Sequence, residues 1–404
     1  ADAVDLRGGQ INSGKFLKDM LVKGSVGHLH AKANHIDLSK KRAILNSFDL
    51  SDSHLFLRID SASTPEDTTS IPLDWKLVLE KVTFNQVSFA LQLPGDTTKM
   101  STTVEKAVLS GGTADLARSS YSANKFYFTG DTLTYDSDTL ERKSGLDFAH
   151  LAIGQLQAEV DSLSYCGKEF SAHIRDFSFT EQSGLKVSSI EGSIKSDGVL
   201  LEIPQLLLKT PYSEVQILAN VPWSAFNEAP EGSMRSLFIA SIGKEDILLA
   251  AGELPEDFRS AFPDKPVSIT AGIEGNLGKL ELRGLKSELP GAFRVEASGQ
   301  LSEITDSLRR SGKILFAAES GNLEFILGML DKKQRNYLEI PSGMNLKGEF
   351  AFGEGKYETN LTLSEDKSRV KMKGQYNETT ENYEVALEID SLQPNHFLPK
   401  DSLL

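Results

Sequence analysis

The chain has 404 residues, of which 39% are hydrophobic and 25% are charged, so it is not expected to be disordered throughout. Its formal net charge of -14 disfavours binding to nucleic-acid phosphates and broad adhesion to anionic membrane surfaces. The single cysteine, Cys166, excludes an internal disulfide and a zinc site built from cysteines. At about 150 residues per domain, the length corresponds to two or three domains.

Neither a membrane anchor nor a signal peptide is predicted. The sequence has no apolar run of the roughly 18 residues that a transmembrane helix needs. The first residues, from Ala1, do not resemble a secretory signal. Because the chain begins and ends abruptly, at Ala1 and Leu404, we expect it to be a section of a longer or processed protein.

Alternation of apolar and polar residues is the dominant pattern, and it predicts half-buried β-strands separated by short turns. Along Val87, Phe89 and Leu91, for example, every second residue is apolar. Successive side chains of a strand point to opposite faces, so the predicted sheet has one apolar and one polar face. The candidate residues of the apolar surface are Leu55, Leu57, Leu77, Phe89, Leu91, Val215, Ile217, Val385 and Leu387. The residues expected to face solvent beside them are Lys76, Gln92, Gln216 and Glu388.

Short helices are predicted where the alternation breaks down. The three candidate segments are 253–262, 301–310 and 322–334. The first has an early proline with acidic residues near its start, and the last has leucine and isoleucine at helical spacing with basic residues near its end.

An interruption of the strands between Pro222 and Gly232 predicts a boundary there. Residues 1–222 form one repetitive β segment, and residues 223–404 form a second that contains the short helices. Because both sides carry the same alternation, the boundary could equally be a hinge within one continuous sheet.

The residue types that carry chemistry do not form a recognisable motif. The sequence has no glycine-rich phosphate loop, no Gly-x-Ser-x-Gly elbow and no His-Glu-x-x-His motif. His28 and His30 have the spacing to lie on one face of a strand, but the sequence supplies no third ligand near them. We therefore predict that the chain is not an enzyme and binds neither a metal nor a cofactor.

An apolar sheet face has to be covered. It can close into a barrel, pack on a second sheet or curl around a ligand. Alternation alone does not distinguish an open groove from two closed cores.

Four short segments resemble the bacterial AsmA-like superfamily, and in particular the Bacteroidetes members of the TamB group. They are VGHLHAKA at 26–33, IRDFSFTEQSGLKV at 174–187, LKTPYSEV at 208–215 and IDSLQPNHFLPKDSL at 389–403. The resemblance implies a long, curled β-sheet, a half-pipe or β-taco, that is apolar inside and polar outside. The chain would be a middle section, since the inner-membrane anchor helix and the characteristic C-terminal region of the family are not present in it.

The resemblance also implies a function. The full-length parent would be a periplasmic bridge, anchored in the inner membrane, that moves phospholipid to the outer membrane or serves outer-membrane biogenesis. Its partners would be phospholipid acyl chains and an outer-membrane barrel protein.

Two alternatives remain open. The chain could be an assembly scaffold for outer-membrane β-barrel proteins, which would pair client strands with exposed sheet edges. It could also be a surface adhesin or glycan-binding module, which needs exposed aromatic platforms. The two tryptophans, Trp75 and Trp223, do not cluster in the sequence.

Overall fold

The structure is a computed structural model that describes residues 3–13, 20–59, 74–93, 98–227, 229–393 and 396–397. It is mainly β, and its repetitive curled sheet carries a few short helices, so the predicted fold class is confirmed. Part of the segment 389–403, which carries some of the resemblance, lies outside the described residues. Among the described residues, no helix has both the length and the apolar character needed to cross a bilayer.

The chain divides into two compact units. Unit 1 comprises residues 1–198 and 206–211, and unit 2 comprises residues 199–205 and 212–404. The sequence places the boundary at Pro222, which is the last residue of a strand and precedes a short 3-10 helix, Trp223–Phe226.

Unit 1 is built from ten strands among its described residues, and an eleventh strand is shared between the units. The strands are β1 Ala3–Asn12, β2 Met20–Asp37, β3 Arg42–Ile59, β4 Lys76–Gln92, β5 Lys99–Asp115, β6 Ser120–Asp136, β7 His150–Cys166, β8 Glu169–Glu181, β9 Lys186–Val187, β10 Ser189–Asp197 and the shared β11 Leu200–Lys209. Neighbours from β1 to β8 pair in chain order and antiparallel, except that β3 and β4 are parallel. β8 also pairs with β9 and β10.

The long strands of unit 1 keep one apolar face by means of irregularities. In β4, Phe84 lies opposite Leu50 and Val87 lies opposite Ser53, although the two are three residues apart. Gln86, between them, has a φ of 52°. At the same place in β3, Asp52 has a φ of 51°, so the two strands kink together without a register shift. Phe84 and Val87, on either side of the kink, then pack in the same apolar cluster. The core of unit 1 lies at the middle of this face, where Val87 and Val104 are almost fully buried.

Unit 2 contains ten further strands and four short helices among its described residues. The strands are β12 Glu214–Pro222, β13 Met234–Ile242, β14 Val267–Gly275, β15 Lys279–Leu289, β16 Phe293–Ser302, β17 Ser311–Ser320, β18 Asn345–Gly353, β19 Lys356–Glu365, β20 Ser368–Asn377 and β21 Asn382–Ser391. The helices are α1 Lys244–Ala250, α2 Glu256–Ala261, α3 Glu324–Leu327 and α4 Lys332–Arg335. From β12 to β21 each strand pairs antiparallel with the next.

The register of unit 2 sorts its side chains into two faces. Leu361 lies opposite Met372, which in turn lies opposite Leu387, so apolar residues form rows across neighbouring strands. On the other face, Arg283 contacts Glu274 at 2.7 Å, and Lys371 contacts Glu388 at 3.0 Å. The alternation therefore produces an apolar and a polar surface, as the period of a strand requires.

Helices cover one end of the apolar face of unit 2. Phe262, next to α2, and Phe325 of α3 pack on Val267, Leu289 and Ala292. Their rings meet edge to face, with centroids 5.1 Å apart. This geometry is favourable for aromatic pairs and closes that end as a small core.

The helix predictions are partly correct. The predicted segment 253–262 contains α2. The segment 322–334 contains α3 and all of α4 but its last residue, as two separate short helices. The prediction of a helix at 301–310 is wrong: Leu301 and Ser302 end β16, and turns follow. The side chain of Asp306 accepts hydrogen bonds from the backbone N–H of Leu308 and Arg309, and such local bonds compete with helix formation.

Candidate functional site

A groove of about 520 Å³ opens on the apolar face of unit 1, and its exposed lining is apolar. It lies toward one end of five consecutive strands, β2 to β6. The side chains that define it are Val22, Leu55, Leu57, Phe89, Leu91, Met100 and Leu133.

Strand register brings these side chains together. The parallel pairing of β3 and β4 sets Leu55 beside Phe89 and Leu57 beside Leu91. The antiparallel pairing of β4 and β5 then sets Leu91 opposite Met100. Directly opposite residues on one face lie within contact distance, so the large side chains form a continuous apolar lining.

Small residues beside the large ones leave room for the groove. Gly24 lies opposite Leu55, and Thr102 lies opposite Phe89. A Cβ atom at Gly24 would come within 2.3 Å of the carbonyl oxygen of His54, so the close approach of β2 and β3 requires glycine there. The space over Leu55 and Phe89 consequently stays open.

The core of unit 1 forms the closed end of the groove. Phe89 meets Phe84 edge to face with ring centroids 6.0 Å apart, and both rings pack against the buried cluster that includes Val87. Phe89 itself is only half-buried. The groove is therefore a partly open extension of a well-packed interior.

Four of the candidate residues predicted from the sequence line this groove: Leu55, Leu57, Phe89 and Leu91. Leu77 lies near the opposite end of β4, where it pairs with Ala43 and Ala114. Its neighbour Lys76, expected to face solvent, forms an ion pair with Asp115 at 3.1 Å.

The other four candidates belong to unit 2. Val215 and Ile217 of β12 lie opposite Ala240 and Phe238 of β13. Val385 and Leu387 of β21 are exposed. These four side chains lie on an apolar strand face, but they do not contribute to the groove of unit 1.

Of the seven side chains that define the groove, sequence reasoning missed Val22, Met100 and Leu133. Leu133 stands in the alternating stretch that ends β6, so its pattern was available. Met100 and Val22 join the groove through strand pairing, which the local sequence does not encode.

The chemistry of the groove is that of an apolar binding surface. Its lining side chains are aliphatic, aromatic, thioether or hydroxyl groups, and none of them is ionisable. Such a surface can shelter methylene groups from water but cannot transfer a proton or bind a charged group.

The two neighbouring histidines have a carboxylate beside them. The carboxylate of Asp5 in β1 lies 3.3 Å from His28 Nε2 and 3.6 Å from His30 Nδ1. The hydrogen bond from His28 holds the pKa of the Asp5 carboxyl below its usual range. Within the described ranges, histidine, cysteine, aspartate and glutamate side chains do not assemble in threes or more in a way that could hold a metal ion.

The two tryptophans belong to different units. Trp75 precedes β4 in unit 1 and Trp223 follows β12 in unit 2, and both are half-buried. Exposed rings occur in both units. Tyr121 and Tyr165 of unit 1 stack with centroids 6.4 Å apart. In unit 2 the exposed Tyr376 has its centroid 5.9 Å from that of the half-buried Tyr357 and lies opposite the exposed Tyr383.

Comparisons with family models and with curated proteins find no relative. The similarity to the AsmA-like superfamily therefore stays a prediction based on its four short segments.

Proposed function

We propose that the chain is a non-enzymatic lipid-binding section of a periplasmic bridge, in which the groove of unit 1 holds phospholipid acyl chains. The parent protein would move phospholipid between the inner and outer membranes or serve outer-membrane biogenesis, anchored by a segment outside this chain. The observation that carries the proposal is an open groove of about 520 Å³ with an apolar lining.

Burial of acyl surface would supply the binding free energy. Each methylene removed from water contributes about 0.8 kcal/mol, so roughly ten of them contribute on the order of 8 kcal/mol before ordering costs. The groove lining, which includes Leu55 and Leu133, can bury these methylenes without any precisely placed polar side chains. A sequence that carries a strong pattern but no motif agrees with such a site.

The groove selects for tails rather than headgroups. Because its lining has no charged side chain, a bound lipid would keep its headgroup in water. Headgroup chemistry then has little effect on affinity, which suits a protein that moves several kinds of phospholipid.

A chain-length series tests this function. Titration with fluorescent phospholipids should give affinities that weaken about tenfold for every two methylenes removed, since about 1.4 kcal/mol corresponds to a factor of ten. Exchange of a choline for a glycerol headgroup should change the affinity less than about threefold, or about 0.7 kcal/mol. The proposal is wrong if no acyl lipid binds, or if headgroup rather than tail length controls affinity.

A second candidate function, assembly of outer-membrane β-barrel proteins, is favoured by β21. All ten residues of this strand are exposed, and among the described strands it pairs with β20 alone. It has neither lysine nor proline, the residues that usually protect sheet edges. Its polar face carries Glu384, Glu388 and Asp390.

A client strand for this edge would alternate apolar and basic residues. Fluorescence anisotropy should detect binding of a labelled ten-residue peptide of alternating valine and lysine, and a matched valine–glutamate peptide should bind at least tenfold more weakly. Equal binding of the two peptides, or none, would remove this candidate.

A further inference from the structure

The connection between β6 and β7 presents two large apolar side chains to solvent. In this loop, residues 137–149, Leu140 is 71% exposed and Phe148 is 72% exposed. Isolated exposed apolar residues are ordinary, but this loop of thirteen residues carries two large ones.

Buried charge fixes one side of the loop. The carboxylate of Asp147, 8% exposed, accepts hydrogen bonds from the backbone N–H of Lys143 at 2.9 Å and of Ala149 at 3.0 Å. It also contacts His150 Nδ1 at 3.1 Å, and the other ring nitrogen lies 3.2 Å from Asp138. The Lys143 N–H first, and His150 second, lower the pKa of the Asp147 carboxyl to about 2, so it is charged at neutral pH.

A second buried carboxylate holds the middle of the loop. Arg142 Nη2 lies 3.4 Å from Oε1 of Glu181, which is 2% exposed. Glu181 also accepts hydrogen bonds from the backbone N–H of Ser183 and Ala152. Both carboxylates thus tie the loop to the adjoining strands, while Leu140 and Phe148 are exposed.

The loop also stands at the open end of the groove. Met100, a lining residue, lies opposite Tyr135, and the loop begins two residues later with Ser137, whose N–H bonds to the carbonyl of Ala149. The groove and the exposed pair therefore share one end of the strands of unit 1.

We infer that loop 137–149 contacts a membrane and holds the groove of unit 1 against the lipid surface. This inference rests on the proposed function. Leu140 and Phe148 enter the acyl region, and the groove beside them receives or delivers a tail. The net charge of -14 favours a zwitterionic over an anionic surface. Burial of two such side chains gives weak, reversible attachment.

Sedimentation with phosphatidylcholine vesicles tests the contact. The double variant Leu140→Ser, Phe148→Ser should reduce partitioning of the protein onto vesicles by at least about tenfold, because most of the inserted apolar area is lost. Leu38→Ser is the matched control. Leu38 is 75% exposed in the turn between β2 and β3, at the opposite end of the strands, and its loss should leave vesicle binding unchanged.

A soluble acyl probe separates this inference from the function on which it rests. The loop double variant should bind a fluorescent fatty acid in solution as tightly as the wild type. Phe89→Asp should not bind the fatty acid, but it should still bind to the vesicles. Vesicle binding that is absent in the wild type, unchanged in the double variant or equally reduced by Leu38→Ser would overturn the membrane contact. Vesicle binding that depends on the loop in a protein that binds no acyl probe would support the contact and overturn the lipid groove.

Discussion

Replacement of Phe89 with aspartate should lower the affinity for an acyl chain at least about 100-fold, or about 2.7 kcal/mol. The carboxylate would stand among lipid methylenes, where an unpaired charge is strongly unfavourable. Unit 1 should nevertheless stay folded, because Phe89 lines a groove that is open to water and is only half-buried. The measurement is titration with a fluorescent fatty acid, together with a thermal melt of the same variant.

Two neighbours of Phe89 serve as matched controls. Ser88→Asp places the same charge one residue away on the other face of β4, opposite His54 and Thr103, and should leave acyl binding intact. Val87→Asp places it on the same face but at a position that is 0% exposed, so unit 1 should unfold. If Phe89→Asp unfolds the unit as Val87→Asp does, the apolar face is a closed core and the groove proposal fails.

Alternation predicted which side chains of a strand share a face, but not whether that face is buried, since Val385 and Leu387 are both exposed. In β21, Val385 and Leu387 stand on the apolar face and Glu388 on the polar face, where it contacts Lys371. The strict period of two leaves no other arrangement within a regular strand. In β4 the period of two is interrupted at Gln86, which has a positive φ. Phe84 and Val87 therefore share a face although they are three residues apart.

The groove itself could not be predicted from local sequence. Alternation marked Leu57 and Leu91 as apolar, but their contact depends on the parallel pairing of β3 with β4. The connection between those strands, residues 60–73, lies outside the described residues. Whether an apolar face is open or covered depends on tertiary pairing, which a period of two does not encode.

The helices, too, depend on tertiary packing that the local sequence does not encode. α1 was not predicted: it spans seven residues, and its N-terminal flank at Gly243 provides no side-chain cap. Helices this short derive their stability from packing rather than from propensity or caps. α3 ends before Gly328, where a Cβ atom would lie 2.5 Å from the backbone nitrogen of Phe258. Glycine at this position therefore also permits the close packing of α2 on α3.

Leu289→Ala should destabilise unit 2 by about 3 kcal/mol, within the range for a leucine removed from a packed interior. Leu289 is 0% exposed and lies beneath Phe262 and Phe325 in the cluster that joins the helices to the sheet. The rings meet edge to face around this side chain, so they can refill the cavity only in part. The free energy of unfolding would be measured in urea by the fluorescence of Trp223. The measurement would use a Trp75→Phe background, which removes the tryptophan fluorescence of unit 1.

The control for this variant is the same change on the polar face. Leu315 of β17 is 49% exposed and lies between Ser298 and Glu349 in the register, so Leu315→Ala should change stability by less than about 1 kcal/mol. A small effect at Leu289 would mean that α2 and α3 do not close this end of the apolar face. The face would then be open there as well, and acyl binding to unit 2 should be tested with the same fatty-acid probe, with Ile217→Lys as the blocking variant.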